Sequence, residues 1–267
     1  MKKLFRTILA FFNFRVVVND RYLSLLKKHY DLCLKTSSYG PYSLLHKIKP
    51  NYLESFVSNI HLSTSDTATD LFVLSEVGFK KNGYFVEFGA CNGIGGSNSY
   101  LLETKFGWKG ILAEPAKTWH KELVENRSAF IEKDCVYSQS NETLIFNEVR
   151  SNLGYSTIDR FSDSDGHKEI RKKGLKYKVN TISLVDLLDK YHAPDTIDYL
   201  SIDTEGSEFK ILSSFDFKKY KFKVITCEHN YTENREKVAK LLTENGYVRK
   251  FIDISQHDDW YVLAEKS

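Results

Sequence analysis

The feature that most constrains the fold is a short apolar stretch followed by a glycine-rich turn. Residues 84–88 read YFVEF, a run that is typical of a buried strand. Glycines then recur at Gly89, Gly93, Gly95 and Gly96. Residues 97–99 (SNS) supply N-cap chemistry for a helix that begins at Tyr100. A strand, a glycine turn and a helix in this order are typical of an open parallel α/β sheet that presents backbone N–H groups to a nucleotide-like ligand.

An apolar strand that ends in an acidic residue recurs along the chain. Strands are predicted at 110–114, 129–136, 197–203 and 224–230. The acids at or near the strand ends, with the one in the first strand, are Glu87, Glu114, Asp134, Asp203 and Glu228. Ligands of open α/β sheets bind at the carboxyl ends of the strands. The pattern therefore predicts one ligand site along one edge of the sheet.

The same signals divide the chain into two parts. Residues 66–267 are predicted to form the α/β domain, and residues 1–65 a small helical N-terminal region. The net charge is only +3, so there is no global electrostatic case for binding nucleic acid. The four cysteines are scattered and form no C-x-x-C pair. Reduced, buried thiols in a cytoplasmic protein are therefore the favoured interpretation.

The first eighteen residues, MKKLFRTILAFFNFRVVV, form an amphipathic pattern. Apolar residues such as Leu4, Ile8 and Phe11 share one side of a helix, and Lys2 and Arg6 share another. The apolar run is too short for a transmembrane span, and no small-residue cleavage site of a signal peptide follows it. This helix could make a peripheral contact with an anionic membrane, but docking on the rest of the fold is the preferred interpretation.

A basic stretch at 167–178 (HKEIRKKGLKYK) has two interpretations. It could form a lid that faces a phosphate group of the substrate. A solvated helix and turn is the more common outcome for a run of charges, and it is favoured here.

The spacing of the glycines argues against two nucleotide-binding motifs. The G-x-G-x-x-G fingerprint fails because Asn98 occupies its last position, which weakens the alternative of a Rossmann-type nucleotide-binding oxidoreductase. No G-K-[ST] step exists, so a P-loop is excluded. The regular element is E-x-G-x-x-x-G, formed by Glu87, Gly89 and Gly93. A carboxylate before the turn suits a cationic ligand better than a pyrophosphate.

Four stretches together resemble the FkbM family of methyltransferases. They are VEFGACNG with SNSYLLE, GWKGILAEP, DYLSIDTEGSE and ITCEHN, and the resemblance covers roughly residues 70–263. It implies a Rossmann-like class I methyltransferase fold: a mostly parallel seven-stranded sheet with helices on both faces. It also implies S-adenosylmethionine as the methyl donor and a hydroxyl group, often of a sugar, as the acceptor.

The resemblance also implies roles for donor-binding residues. Glu87, Gly89 and Gly93 would hold the methionine part of the donor, with Glu87 facing its cationic amino group. Glu114 would accept hydrogen bonds from both ribose hydroxyls, about twenty residues past the glycine turn, where such folds place this acid. Asp134 and the Cys135 backbone would meet the adenine edge.

The last acids are candidates for the chemistry itself. An alcohol is a poor nucleophile until its proton leaves, so a base or a metal must assist. Asp203 and Glu228 are the candidate catalytic residues, with His229 as an alternative base. Asp203, Glu228 and Asn230 offer oxygen ligands that suit Mg²⁺. Glu208 is expected to cap the helix after the Asp203 strand.

The sequence therefore predicts a cytoplasmic S-adenosylmethionine-dependent O-methyltransferase. The predicted acceptor is a sugar hydroxyl of a surface glycan or its precursor, carried as a glycan, a nucleotide-sugar or a lipid-linked sugar. A small-molecule or lipid-linked hydroxyl is the nearest alternative. A non-catalytic domain that keeps the fold for binding a partner is disfavoured because acids are present at every predicted strand end.

Overall fold

The computed structural model describes residues 41–150 and 153–264. The chain divides into two compact units, residues 1–47 and 48–267. In the first unit, Pro41–His46 forms a 3-10 helix. The amphipathic stretch at 1–18 lies outside the described residues. Residues 48–65 are part of the second unit, and the predicted domain boundary after residue 65 stays a prediction.

The described residues form eleven strands in two sheets. In chain order they are β1 Tyr84–Phe88, β2 Lys109–Ala113, β3 Phe130–Glu132, β4 Cys135–Tyr137, β5 Thr143–Glu148, β6 Thr157–Ile158, β7 Leu175–Ser183, β8 Thr196–Ile202, β9 Lys221–Glu228, β10 Tyr247–Lys250 and β11 Asp258–Leu263. Four predicted strands are confirmed: the strand before the glycine turn, and the three strands predicted at 110–114, 197–203 and 224–230.

The larger sheet has seven strands in the order β10-β11-β9-β8-β1-β2-β3. The central strand β1 is parallel to β2 on one side and to β8 on the other. Only β11 runs against its neighbours, β9 and β10. The predicted mostly parallel, seven-stranded sheet is confirmed, and the carboxyl ends of β1, β2, β8 and β9 lie along one edge.

Helices cover this sheet on both faces. They are α1 Leu53–Asn59, α2 Thr69–Glu76, α3 Tyr100–Phe106, α4 His120–Asn126, α5 Lys168–Arg171, α6 Leu184–Lys190, α7 Glu208–Ser213 and α8 Asn234–Glu244. Side chains of α6, α7 and α8 share one core cluster with Val86 and Tyr261 of the sheet. On the other face, Phe72 of α2 stacks on Trp260 with 4.5 Å between ring centroids. Because Trp260 and Tyr261 are consecutive in β11, they point to opposite faces.

The start of α2 is held by the side chain of a serine four residues upstream. Ser65 Oγ accepts a hydrogen bond of 3.0 Å from the backbone N–H of Thr69. Ala68, which directly precedes the helix, has a left-handed backbone with φ of 59°. This turn places the residues before α2 next to the glycine turn.

The third predicted strand, 129–136, is wrong as a single element. It splits into β3, which pairs with β2, and β4, which belongs to the smaller sheet β4-β7-β5-β6. The break follows from Glu132, whose Oε1 accepts the backbone N–H groups of Lys133 and Asp134 at 2.8 and 3.0 Å. In the smaller sheet, β5 and β7 pair in antiparallel register.

No helix in the described parts of the chain is long and apolar enough to cross a membrane.

Candidate functional site

A cavity of about 340 Å³ opens at the carboxyl edge of the larger sheet. One part of its wall is apolar and includes Trp119, Val136 and Phe146. Another part is formed by the glycine turn after β1, and a third by Asp203 and Glu205 after β8. The cavity therefore joins the regions in which the sequence predicted a donor site and a reaction site.

Gly89 brings the ends of β1 and β8 into contact. Its φ is +76°, and a Cβ at this position would lie 2.1 Å from the backbone oxygen of Asp203. Gly93 also has a positive φ, +81°, and a Cβ there would collide with the side chains of Arg127 and Leu123. Only glycine satisfies both requirements. Gly89 lines the cavity, whereas Gly93 shapes the turn from behind.

Glu87 is placed differently from the prediction that it faces the donor's amino group. Its side chain is 2 % exposed, and it is not among the described residues that line the cavity. Its oxygens accept hydrogen bonds from Ser97 Oγ at 3.0 Å, from the Asn98 N–H at 2.7 Å, and from Ser99 Oγ. The carboxylate therefore ties the strand to the far end of the glycine turn.

Arg127, which the sequence did not single out, completes this support. It lies just after α4, and its guanidinium is fully buried. It donates hydrogen bonds to the Gly93 carbonyl at 2.9 Å and to Ser99 Oγ at 2.8 Å, and it forms an ion pair of 2.7 Å with Glu103. Its contacts lie more than twenty residues away in the sequence, so no local signal identifies it.

Glu114 lies where the ribose-binding acid was predicted. It is 4 % exposed, lines the cavity, and accepts the N–H groups of Cys91 and Ala116, each at 2.8 Å. Burial raises the pKa of this carboxyl from 4.5 to about 7. Each carboxylate oxygen has capacity for another hydrogen bond, which hydroxyl groups of a ligand in the cavity can donate.

Of the two residues predicted to meet the adenine edge, only Cys135 lines the apolar part of the cavity. Cys135 lines it together with Trp119 and Phe146. Asp134 is not among the lining residues, and its backbone N–H is already donated to Glu132. A flat aromatic base fits between these apolar side chains. We call this part, with Gly89 and Glu114, the donor end.

Three carboxylates meet on the other side of Gly89. One ligand oxygen each from Asp203, Glu205 and Glu228 lies within 4.8 Å of the others. We call these three residues the acid cluster. Glu228 is buried, and its Oε2 has no hydrogen-bond partner among the described residues. Asn230, predicted as a metal ligand beside Asp203 and Glu228, lies next to the cluster, and its Nδ2 is 3.1 Å from Glu205 Oε2.

Burial and mutual repulsion raise the pKa values of the acid cluster. Burial raises the pKa of Asp203 to about 7, with further contributions from neighbouring carboxylates such as Asp258. Burial first and the charge of Asp203 second also raise the pKa of Glu205, whereas the charge of Arg171 lowers it. Burial and the charge of Asp203 raise the pKa of Glu228 well above its usual range. A cation would relieve this repulsion.

Glu205 is held by an arginine from the basic stretch. Its Oε2 accepts a hydrogen bond from Arg171 Nη2 at 2.5 Å and another from Asn230 Nδ2 at 3.1 Å. The Arg171 side chain is fully buried and also pairs with Asp165 at 2.8 Å. The backbone of Glu205 is left-handed, with φ of 59°. The interpretation of residues 167–178 as a solvated helix and turn is therefore wrong at Arg171.

His229 and Glu208 take structural positions. His229 is 5 % exposed and does not line the cavity; its Nδ1 accepts the Tyr231 N–H at 3.0 Å, and burial lowers its pKa to about 4. Glu208 accepts the N–H groups of Thr204 and Gly206 at 3.1 and 2.9 Å, which is the helix-capping role expected of it. Of the three predicted catalytic residues, only Asp203 reaches the cavity wall.

The strand order, the glycine turn after β1 and the buried acid after β2 define a class I S-adenosylmethionine-dependent methyltransferase. Residues 87–262 match the family model described as the methyltransferase FkbM domain, and the chain belongs to this family. The resemblance stated from the sequence is confirmed, and so are S-adenosylmethionine as the cofactor and the predicted fold class. No curated protein matches the chain.

Three solved structures of methyltransferases match parts of the chain at low sequence identity. Precorrin-6y C5,15-methyltransferase from Geobacter metallireducens is 13% identical, with a TM-score of 0.38, over 74% of this chain and 87% of its own. The ribosomal protein L11 methylase from Lactobacillus delbrueckii is 10% identical, with a TM-score of 0.37, over 75% and 78%. A methyltransferase from Aquifex aeolicus is 11% identical, with a TM-score of 0.35, over 84% and 98%.

Proposed function

We propose that this methyltransferase transfers the methyl group of S-adenosylmethionine to a hydroxyl oxygen of a sugar in a surface glycan or its precursor. The observation that supports this most is the position of the acid cluster. A Cβ on Gly89 would lie 2.1 Å from the Asp203 carbonyl, so the acids begin where the donor end stops. An acceptor hydroxyl between the two parts meets both the donor and a carboxylate.

Asp203 is the proposed general base. Methyl transfer from a sulfonium is an in-line displacement, so the protein mainly aligns the acceptor oxygen, the methyl carbon and the sulfur. The acceptor's O–H proton must leave as the C–O bond forms, and a base with a pKa near the working pH removes it best. Asp203 lines the cavity and has a pKa of about 7. Glu228 is next to it and can share the proton.

The acid cluster also has the composition of a Mg²⁺ site, and we include the ion in the proposal. Hard divalent cations prefer carboxylate oxygens. Three such oxygens within 4.8 Å, one of them on a carboxylate with an unpartnered buried oxygen, fit this requirement. Asp203, Glu205 and Glu228 would hold the ion, and Asn230 would orient Glu205 through its amide. A bound Mg²⁺ would polarise the acceptor hydroxyl.

The rest of the wall suits an uncharged, hydroxyl-rich acceptor. Ser156, Thr204 and Ser207 line the cavity and can exchange hydrogen bonds with sugar hydroxyls. No lysine, arginine or histidine lines it among the described residues. In a nucleotide-sugar or lipid-linked acceptor the sugar would therefore enter and the phosphates would stay outside. A cytoplasmic location belongs to the same proposal, and a membrane contact through residues 1–18 is the less favoured alternative to docking on the fold.

Labelled methyl transfer tests the proposal. Purified protein is incubated with methyl-labelled S-adenosylmethionine and either glycan, lipid-linked sugar or small-molecule fractions of its source cells, with and without a chelator. We expect label in a sugar-containing fraction as a base-stable methyl ether, and loss of labelling with chelator that added Mg²⁺ restores. Label on nitrogen or carbon, or only in sugar-free small molecules, would contradict the acceptor proposal. If labelling were unchanged in the presence of chelator, Mg²⁺ would be excluded from the proposed mechanism.

A further inference from the structure

The structure leaves the donor's ammonium group without the partner that the sequence predicted. The Glu87 carboxylate already accepts hydrogen bonds from residues 97, 98 and 99, and it is not among the described residues that line the cavity. Redirecting it would leave the Ser97 and Ser99 hydroxyls and the Asn98 N–H without an acceptor. Another anion is needed at this end of the cavity. The question rests on S-adenosylmethionine binding in this cavity.

Asp66 is an acid in the required place. It lines the same cavity as Gly95 and Gly96, and a Cβ on Gly96 would lie 3.8 Å from Asp66 Oδ2. Its side chain is exposed, and no hydrogen bond or ion pair joins its carboxylate to another described residue. Unlike Glu87, Asp66 therefore has both oxygens available to a ligand.

The backbone around Asp66 is fixed to the glycine turn. The Gly96 N–H donates to the Thr64 carbonyl at 3.1 Å, and Thr64 Oγ1 donates to the Ser97 carbonyl at 3.1 Å. Ser65 Oγ donates to Asn98 Oδ1 at 2.6 Å and accepts the N–H of Thr69. The backbone just before Asp66 is thus anchored to the glycine turn, so Asp66 is kept at this end of the cavity before any ligand binds.

The charge at this end favours a cation. Asp66 lines the cavity, and no basic residue of the described chain does so. Asp258 lies nearby; burial raises its pKa to about 7, and the charge of Asp66 adds to this effect. The donor carries two positive groups, the sulfonium beside its ribose and the ammonium at the end of the methionine chain. Only the ammonium extends beyond the ribose that Glu114 binds.

We propose that Asp66, and not Glu87, binds the α-ammonium group of S-adenosylmethionine. Glu87 acts as a positioning residue that holds the glycine turn. Asp66 pairs with the ammonium as a charge-assisted hydrogen-bond acceptor at the surface of the cavity.

Two ligands separate this role from a general effect on the fold. S-adenosylhomocysteine keeps the ammonium group but lacks the sulfonium, and 5′-methylthioadenosine lacks the amino-acid part. Calorimetric titration of both is carried out on the full chain, on Asp66→Asn and on Asp195→Asn. The last variant removes an exposed acid before β8, at the opposite edge of the sheet. We expect Asp66→Asn to weaken S-adenosylhomocysteine about tenfold and to leave methylthioadenosine unchanged within about twofold.

Four results would overturn the inference. Equal affinity of Asp66→Asn and wild type for S-adenosylhomocysteine would show that Asp66 makes no contact. Equal weakening of both ligands would show that the residue acts through the fold. Selective loss of S-adenosylhomocysteine in Glu87→Gln would return the ammonium to Glu87, whereas we expect that variant to weaken both ligands. If wild type bound neither ligand, the donor assignment itself would fail and this inference with it.

Discussion

The two parts of the cavity differ in how far their carboxylates are hydrogen-bonded. At the donor end, Glu114 accepts two backbone N–H groups, and Glu87 behind it accepts three hydrogen bonds from the glycine turn. In the acid cluster, Glu228 keeps an unpartnered oxygen, and Arg171 is the cation that pairs directly with Glu205 among the described residues. The carboxylates at the donor end therefore have hydrogen-bond partners before the donor binds. The acid cluster is electrostatically unfavourable until protons or a cation balance it.

The largest effect is expected from removing a carboxylate of the acid cluster. Asp203→Asn keeps the size of the side chain and removes the base, so turnover should fall about 1000-fold, within the usual contribution of a positioned base. Affinity for S-adenosylhomocysteine should change less than about threefold, because the donor end does not depend on this charge. Steady-state turnover and calorimetry on the same preparation measure both. Turnover above a tenth of wild type would remove Asp203 from the mechanism.

The second prediction concerns the arginine that balances the cluster. Arg171→Met leaves Asp165 and Glu205 buried without their cation, so the free energy of unfolding should fall by about 3–5 kcal/mol. The double variant Arg171→Met/Glu205→Gln removes one of these charges and should recover part of the loss. Denaturant unfolding of the two variants measures this coupling. A double variant no more stable than Arg171→Met would show that the ion pair with Glu205 is not what Arg171 provides.

The third prediction tests the donor end through pH. The pKa of Glu114 is raised to about 7, so its carboxyl is mostly protonated at pH 6 and mostly ionised at pH 8. The ionised form accepts hydrogen bonds from both ribose hydroxyls, so affinity for S-adenosylhomocysteine should rise about tenfold over this range. Titrations at several pH values measure it. In Glu114→Gln the affinity should be lower and this rise should be absent; a rise that persists would have another origin.

The smallest effect is expected one residue away from Arg171. Lys172 is 62 % exposed, and its ion pair with Glu169 lies at the surface. Lys172→Met should therefore leave the free energy of unfolding unchanged within the error of denaturant unfolding, and leave turnover unaltered. The comparison with Arg171→Met separates the buried arginine from the basic stretch around it. A loss comparable to that of Arg171→Met would mean that the stretch acts as a unit.

The sequence by itself was enough to place the donor end. The strand at 84–88, the glycine turn, the helix from Tyr100 and the acid after β2 all follow from local rules, since strand pattern, glycine conformation and capping act over a few residues. The confirmed family and fold rest on these elements. The acids at the β8 and β9 ends were also found, because parallel strands bring their carboxyl ends to one edge.

The tertiary structure alone decided which of these side chains face the ligand. Glu87 turns to its own glycine turn, Asp66 takes the open position, and Glu205 joins Asp203 and Glu228. Arg171 reaches Glu205 across 34 residues of sequence. Such contacts depend on how distant segments pack, and burial then sets the pKa of each group. Residue type and spacing contain neither quantity, because the surroundings of a side chain exist only after the chain has folded.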